Sequence, residues 1–202
     1  MCKLVVGLGN PKKSFERNRH NIGFTIVDAL ISHHKANKCY LDTPRKPMLE
    51  MHYKVLSGEL VLFLKPRDWM NSSGKAVGRV ARQLKLDPKD ILLIHDDMDF
   101  DFGIFKIKGG GSSGRHNGVQ SVIDAVGKNF ARFRIGIGRP DEEQTAYEYV
   151  LSDFRTWEQK RFCELFGLAI QVVDTFVAHG VQQTMNIFNR RNIDDGREEK
   201  EA

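Results

Sequence analysis

The sequence predicts a single α/β domain with a mixed, mostly parallel, twisted sheet flanked by helices. Along the chain, short apolar runs that favour buried strands alternate with segments whose apolar residues recur at helical spacing. A length of 202 residues with 41% hydrophobic residues suffices for one substantial core, and no repeat or linker divides the chain. We expect the domain to span residues 1–190 and residues 191–202 to form a charged, disordered tail.

Six apolar or alternating runs predict the strands. They are residues 3–8, 52–57, 59–64, 91–95, 104–108 and 133–138. The first run ends at Gly9-Asn10-Pro11, a turn signal, and the runs on either side of Gly58 are expected to pair. Because the runs at 3–8 and 91–95 are almost entirely apolar, we expect both to lie in the buried centre of a parallel sheet.

Apolar residues at helical spacing predict four helices. They cover residues 22–34, 76–84 and 119–126, and a longer stretch from 162 to 177. Thr156 is expected to open the last helical region in a capping box, and Gly180 is expected to end it.

The charge pattern favours an acidic partner. Lys and Arg number 31 and Asp and Glu number 26, which gives a net charge of +5. The last nine residues hold five acids and two bases, so the preceding 193 residues carry +8. Nucleic acid is the first candidate partner for such a body, and a solvated basic surface is the alternative.

Three cysteines, far apart and without a CxxC pair, predict neither a disulfide framework nor a zinc site. The short apolar run at the N-terminus meets turn residues at once, which is not typical of a signal peptide. We also expect no stretch long enough to span a membrane. These features predict a cytoplasmic protein.

Several common catalytic and cofactor motifs are broken or missing. The turn GLGNPKK places Lys12 where a dinucleotide-binding GxGxxG fingerprint requires its third glycine. Gly74-Lys75 lacks the earlier glycine of a phosphate-binding loop, and no GxSxG or HExxH occurs. We therefore expect no cofactor and no metal. The alternative of a nucleotide-cofactor enzyme is supported only by the broken GLGN turn.

Polar residues gather where the predicted strands end and the helices begin. They are Asn10, His20-Asn21, Met70-Asn71, Asp96 and His116-Asn117. Because the carboxyl ends of parallel strands meet at one edge of a sheet, Asn10 and Asp96 should lie together there. Taken singly, each of these residues could be a helix cap or a turn residue.

Six strings in order carry a resemblance to a known family. They are GLGNP at 7–11, RHNIGF at 19–24, WMNSSGK at 69–75, HDDMD at 95–99, GRHNG at 114–118 and RIGIGRP at 134–140. Together they resemble the bacterial-type peptidyl-tRNA hydrolases over about residues 3–187. The resemblance implies a monomeric α/β enzyme that cleaves the ester between a peptide and tRNA.

The resemblance also implies roles for the polar residues. His20 matches the general base that activates water, and Asp96 matches the carboxylate that orients it. Asn10 matches a catalytic-site asparagine that distinguishes N-blocked from free aminoacyl groups. Asn71 and Asn117 match asparagines that hold the substrate, since an amide can both donate and accept.

Further substrate contacts follow from the same resemblance. Phe15 matches a substrate-binding position. Trp69 and Met70 match residues that line an apolar wall near the terminal adenosine or the peptide, with core packing as the alternative, which for Met70 is about equally favoured. Lys108 and Arg134 match basic positions that hold a tRNA phosphate. The sequence departs from the usual family pattern at Lys12 (glycine), Phe15 (tyrosine), Asn18 (threonine), Trp69 (phenylalanine) and Arg115 (a glycine-rich loop position).

A second hypothesis comes from a different class of protein. The chain could be a catalytically silent RNA-binding module on the same fold. The intact His20–Asp96 pair favours the hydrolase, and tRNA binding without ester cleavage would favour the module.

Overall fold

The computed structural model describes residues 2–41 and 49–189. The strands are β1 (Cys2–Gly7), β2 (Asn37–Leu41), β3 (Leu49–Leu56), β4 (Glu59–Leu64), β5 (Ile91–Asp97), β6 (Phe105–Gly109) and β7 (Ala131–Gly136). The helices are α1 (Ile22–His34), α2 (Ser73–Gln83), α3 (Asn117–Val126), α4 (Ala146–Val150), α5 (Thr156–Lys160) and α6 (Phe162–Phe188). The expected tail at 191–202 lies outside the described residues.

The strands form one mixed sheet in the order β2-β3-β4-β1-β5-β7-β6. The four central strands run parallel, with Val5 of β1 opposite Phe63 of β4 on one side and Leu92 of β5 on the other. The outer strands β2, β3 and β6 join in antiparallel fashion. The predicted single α/β domain with a mixed, centrally parallel sheet is confirmed, and its parallel strands end at the same edge.

Helices cover both faces of the sheet, as an all-buried parallel centre requires. Alternate residues of β1 point to opposite faces. Val5 joins a core cluster with α1 and α6, whereas Leu4 and Val6 join a second cluster with α2 and α3. The near-continuous apolar runs of β1 and β5 thus reflect burial on two sides.

Two glycines bring the start of α1 onto the end of β1. A Cβ at Gly23 would lie 2.4 Å from the Ile94 carbonyl oxygen and 2.5 Å from the Leu8 nitrogen. A Cβ at Gly7 would lie 2.2 Å from the carbonyl oxygen of Gly23. Only glycine permits this approach, which fixes the chain immediately before α1 against the sheet edge.

A buried ion pair holds the same segment from the other side. Arg19 donates to both carboxylate oxygens of Glu158 at 2.7 and 2.8 Å, and both side chains are 3% exposed. The backbone N–H of Arg19 also donates to the Ser152 carbonyl. The 3-10 turn Arg19–Asn21 is therefore fastened to the region of α4 and α5.

The structure departs from the predicted elements at several places. β2 and α4 were not predicted, because five residues each are too few to establish an apolar periodicity. β7 begins at Ala131, two residues earlier than expected. The Thr156 capping box is wrong: Thr156 is the first residue of α5, and the N–H of Arg155 donates to Glu158 at 2.6 Å. Gly180 is non-helical at φ 74°, but α6 continues beyond it to Phe188.

The expectation that no stretch could span a membrane also needs correction. Among the described residues, α6 is one helix that is long and apolar enough to do so by length and composition. Core helices of soluble proteins pass the same test. Val172, Val173 and Phe176 of α6 are buried in the core cluster shared with α1, and this packing accounts for an apolar face.

We predict that Gly23→Ala destabilises the fold. The added Cβ meets backbone atoms that cannot turn aside, and overpacking of this kind costs about 1–3 kcal/mol or more. Gly167→Ala is the control, since a Cβ at Gly167 would have no heavy atom within 4 Å and alanine favours a helix by about 0.5–1 kcal/mol. Urea unfolding of both variants measures the difference, and equal stability would contradict the close-approach argument.

Candidate active site

The candidate site lies at the edge where the parallel strands end. Asp96 is the next-to-last residue of β5, and Asn10 follows β1. The 3-10 turns Arg19–Asn21 and Met70–Ser72 and the start of α3 complete the site. The predicted meeting of polar residues at this edge therefore has a structural basis in the parallel centre of the sheet.

A histidine and a carboxylate form the centre of the site. The Nδ1 atom of His20 lies 2.9 Å from each carboxylate oxygen of Asp96. The Asp96 side chain is 3% exposed and that of His20 is 14% exposed. Because an ionised carboxylate only accepts hydrogen bonds, Nδ1 carries a hydrogen and donates it. This leaves Nε2 of His20 as the basic nitrogen.

A second histidine shares the same carboxylate. Nε2 of His116 lies 3.0 Å from Asp96 Oδ1. Its Nδ1 accepts hydrogen bonds from the backbone N–H groups of Gly118 and Val119 at the start of α3. Since Nδ1 is an acceptor, Nε2 bears the hydrogen and donates to Asp96. His116 therefore fixes Asp96 relative to α3, a role that the sequence pattern did not reveal.

Burial and mutual contacts shift the pKa values of His20, His95 and Asp96 from their ordinary values. Burial lowers the pKa of His20, but the Asp96 charge and hydrogen bond outweigh it and raise that pKa above its ordinary value. Burial raises the pKa of Asp96, yet His20 and His116 hold it well below its ordinary value. Burial and the neighbouring His116 lower the pKa of His95 to about 3. Asp96 is thus an anion and His95 a neutral side chain at neutral pH.

Asn10 is fixed by three hydrogen bonds. Its backbone N–H donates to Asn21 Oδ1 at 2.8 Å, and Asn21 Nδ2 donates back to its carbonyl at 3.0 Å. The Met70 N–H donates to Asn10 Oδ1 at 3.0 Å. With the oxygen so engaged, the side-chain NH₂ of Asn10 remains available as a donor. Asn21 is a second positioning residue that sequence reasoning did not assign.

The remaining predicted polar contacts lie around this centre. Asn71 is in the turn Met70–Ser72 and Asn117 is the first residue of α3, and both are exposed. Met70 is 6% exposed and belongs to a core cluster. Its sulfur lies 2.4 Å from where a Cβ at Gly118 would stand, so Met70 packs beneath the site and its contact with substrate stays a prediction.

An exposed aromatic group borders the site. The Trp69 side chain is 49% exposed, and Phe15 meets it edge-on with ring centroids 6.4 Å apart. Lys12 places its Nζ 4.8 Å from the centroid of the Trp69 ring. The two predicted aromatic residues are therefore neighbours.

The two predicted phosphate contacts belong to a larger basic face. Lys106 and Lys108 of β6 lie opposite Arg134 and Arg132 of β7, so all four share one face of the strand pair. Arg134 donates to Asp97 at 2.6 Å, and its guanidinium lies 4.8 Å from the Phe100 ring. Lys108 is exposed. The alternation of basic and apolar residues along both strands could have indicated this face.

Arg132, on the same face, binds the glycine-rich loop instead of facing solvent. It is 3% exposed and donates to the carbonyls of Gly111 and Ser112 in the glycine-rich loop. That loop leads into His116 and α3. A buried arginine thereby ties the basic face to the loop that precedes His116.

A cleft of about 720 Å³ opens beside Asn10. It runs along the start of α1 toward β3 and β4, and its walls mix polar and apolar groups. They include Asn10, Asn21, Phe24, Ile31, Phe63 and Lys65. Such a lining can hold an extended ligand without demanding one side-chain type.

One group among the described residues has the spacing of a metal site. The ligand atoms of His20, Asp96 and His116 all lie within 4.8 Å of one another, and this donor set is one that zinc accepts. The hydrogen bonds of the two histidines to Asp96 account for the arrangement without an ion.

Comparisons with known proteins identify close relatives. The family described as peptidyl-tRNA hydrolase matches residues 4–196. A peptidyl-tRNA hydrolase of Persephonella marina is 35% identical over 194 residues, covering 96% of this chain and 100% of the relative. One of Lactobacillus delbrueckii subsp. bulgaricus is 40% identical over 189 residues, covering 93% and 100%. A crystal structure of the Acinetobacter baumannii enzyme superposes with a TM-score of 0.83 at 30% identity, covering 95% and 96%.

We predict that Asp96→Asn lowers the pKa of His20 below its ordinary value of about 6.5. Burial still opposes the charged imidazolium, while the carboxylate that outweighed burial is gone. NMR titration of the His20 ring measures the change. His34 at the far end of α1 is the internal control, because its pKa, lowered by burial, should not move.

The same pKa shift has a consequence for stability. Because the pKa of His20 is raised on folding, its pairing with Asp96 should stabilise the wild type fully below the unfolded-state pKa. That contribution should fade as the pH rises through the folded-state value. An unchanged His20 pKa in Asp96→Asn would contradict this account of the pair.

Proposed function

The chain belongs to the peptidyl-tRNA hydrolase family, and from this premise we propose that it hydrolyses the ester joining a peptide, or an N-blocked aminoacyl group, to tRNA. The observation that carries the proposal is the His20–Asp96 pair, which is linked to Asn10 by the hydrogen bonds of Asn21, the residue after His20. The released tRNA returns to translation.

His20 acts as the general base in this proposal. Its Nε2 accepts a proton from a water molecule, and the water oxygen attacks the ester carbonyl carbon. The ester C–O bond then breaks, and the protonated imidazole returns the proton to the departing ribose oxygen. The products are a peptide with a free carboxyl group and a tRNA with a free terminal hydroxyl. Such a base contributes about 10²–10⁴ in rate.

Asp96 supports that base in two ways. Its buried charge stabilises the imidazolium that forms when His20 takes a proton, and its hydrogen bond keeps the hydrogen on Nδ1. The His116 hydrogen bond stops the carboxylate from rotating. No covalent intermediate with the protein is required.

Asn10 provides the discrimination between blocked and free aminoacyl groups. Its side-chain NH₂ can donate to the carbonyl oxygen of an N-acyl group or to the developing oxyanion. A free α-amino group is charged at neutral pH, and its burial beside a donor would be costly. Asn71 and Asn117 hold the substrate, and the part of the cleft lined by Phe24, Ile31 and Phe63 receives the peptide.

The tRNA is bound by aromatic and basic groups around the site. Phe15 and Trp69 contact the terminal adenosine, with Met70 as the floor beneath them. The basic face of β6 and β7 contacts phosphates farther along the tRNA. Lys108 fits this role better than Arg134, because Asp97 already compensates the charge of Arg134.

The proposal places the enzyme in the cytoplasm as a monomer. The substrate arises in translation, and Cys2, Cys39 and Cys163 are free thiols.

A silent RNA-binding module is the competing function, and it would bind tRNA through the same basic face.

We predict that His20→Ala lowers kcat by about 10²–10⁴ because the base is removed. N-acetylated aminoacyl-tRNA is the substrate, assayed with and without EDTA, and unblocked aminoacyl-tRNA should react poorly. His179→Ala, an exposed residue of α6, is the control and should keep full activity. A wild-type rate in His20→Ala overturns the mechanism, loss of activity with EDTA overturns metal independence, and binding without cleavage by the wild type favours the silent module.

We predict that Lys108→Gln raises KM for the tRNA substrate and leaves kcat unchanged. Loss of one phosphate contact should make the dependence of log(kcat/KM) on log salt shallower by about one unit. Lys160→Gln, which removes an exposed charge at the end of α5, is the matched control. Identical salt slopes in the two variants would remove Lys108 from the tRNA surface.

A further inference from the structure

Lys12 lies on the rim of the site against an exposed aromatic ring. Its Nζ lies 4.8 Å from the centroid of the Trp69 ring, although that ring is half exposed to solvent. Among residues 2–41 and 49–189, Lys12 has no carboxylate partner. Its charge is therefore directed to an aromatic surface and remains uncompensated.

The pair is tied directly to the substrate-binding amide. Lys12 comes two residues after Asn10, and Trp69 comes immediately before Met70. The Met70 N–H donates to Asn10 Oδ1 at 3.0 Å, so one hydrogen bond joins the two loops that carry Lys12 and Trp69. The position of the pair is thus fixed relative to Asn10.

The loop around Lys12 is positive. Beyond Gly9 and up to Arg19 the chain holds more basic side chains than acidic ones, with Glu16 as its acid. Arg19 is buried with Glu158, so Lys12, Lys13 and Arg17 are the exposed basic residues of this loop. An exposed aromatic ring within a positive loop is the combination that binds single-stranded nucleic acid, since the ring stacks on a base and the cations follow the backbone.

We propose that Lys12 supplies a phosphate contact for the single-stranded 3′ end of the tRNA, beside the Trp69 ring that the proposed function already assigns to the terminal adenosine. The indole stacks on the terminal base, and the Lys12 ammonium binds the phosphate that precedes the terminal nucleoside. The cation–π contact holds the ammonium beside the ring before the substrate arrives. When a base takes the ring, the flexible stem of Lys12 turns the ammonium to the phosphate.

This inference rests on the proposed function and assigns to Lys12 a contact that sets affinity rather than chemistry. Lys12 does not touch His20 or Asp96, so its loss should change KM and not kcat. Because its partner is a phosphate, the loss should disappear with a substrate that lacks phosphates. Trp69, in contrast, should matter for every substrate that carries the base.

The experiment compares two substrates of the full chain. One is N-acetyl-aminoacyl-tRNA, and the other is the N-acetyl-aminoacyl ester of adenosine, which has the base and ribose but no phosphate. The variants are Lys12→Gln, Trp69→Ala and the double substitution. Lys35→Gln is the matched control, because Lys35 is exposed at the far end of α1, about 20 Å from its start at 1.5 Å per residue.

Lys12→Gln should raise KM several-fold for the tRNA and leave the adenosine ester unaffected. Its salt dependence of log(kcat/KM) for tRNA should be shallower by about 0.7, the value for one single-strand phosphate contact. Trp69→Ala should raise KM for both substrates by about 5- to 150-fold, as expected for one stacked base. In the Trp69→Ala background, the effect of Lys12→Gln should shrink, because the ring no longer positions the ammonium.

Two results separate this inference from the function on which it rests. If the wild type hydrolyses neither substrate, the proposed function fails. If the wild type is active and Lys12→Gln matches Lys35→Gln in KM and salt slope, or affects both substrates equally, the Lys12 contact is overturned while the function stands.

Discussion

The site depends on one buried negative charge. Asp96 is almost fully enclosed, and a buried carboxylate is costly unless charge-assisted hydrogen bonds compensate it. Two imidazoles supply them, one from the turn before α1 and one from the start of α3. Since a carboxylate only accepts, each ring must turn an N–H toward it. Nδ1 of His116 accepts hydrogen bonds from the backbone of α3, whereas Nε2 of His20 remains available to accept a proton.

The position of His20 is a product of long-range packing rather than of local preference. Its turn carries no side-chain cap. It is held instead by the glycine contact between α1 and β1 and by the Arg19 ion pair with Glu158, which lies 139 residues away in the chain. A buried ion pair adds little net stability but is costly to break. It is therefore suited to holding the turn in one position. Because His20 lies next to Arg19 in that turn, the ion pair also fixes His20 relative to Asp96.

The sequence indicates where functional groups gather but not how they bond. The bounds of α1 and the edge shared by Asn10 and Asp96 follow from periodicity and from the common direction of parallel strands. The roles of Asn21 and His116 do not, because a histidine before a helix has the same local signature whether it only caps the helix or also reaches a carboxylate. The prediction of the capping box was wrong for a related reason. Glu158 accepts hydrogen bonds both from Arg19 and from the backbone N–H of Arg155. The second of these bonds makes Arg155 the N-cap, so α5 begins at Thr156.

Net charge is a weak guide to tRNA binding because much of it is compensated locally. Lys3 pairs with Asp90, Lys65 with Asp28, and Arg67 with Glu50. Arg134, on the basic face itself, pairs with Asp97. Among the described residues, Lys12, Lys106 and Lys108 form no such ion pairs, and they are exposed. A polyanion gains most from cations that have no competing acid, so the placement of these few lysines, more than the total charge, determines where a tRNA would bind.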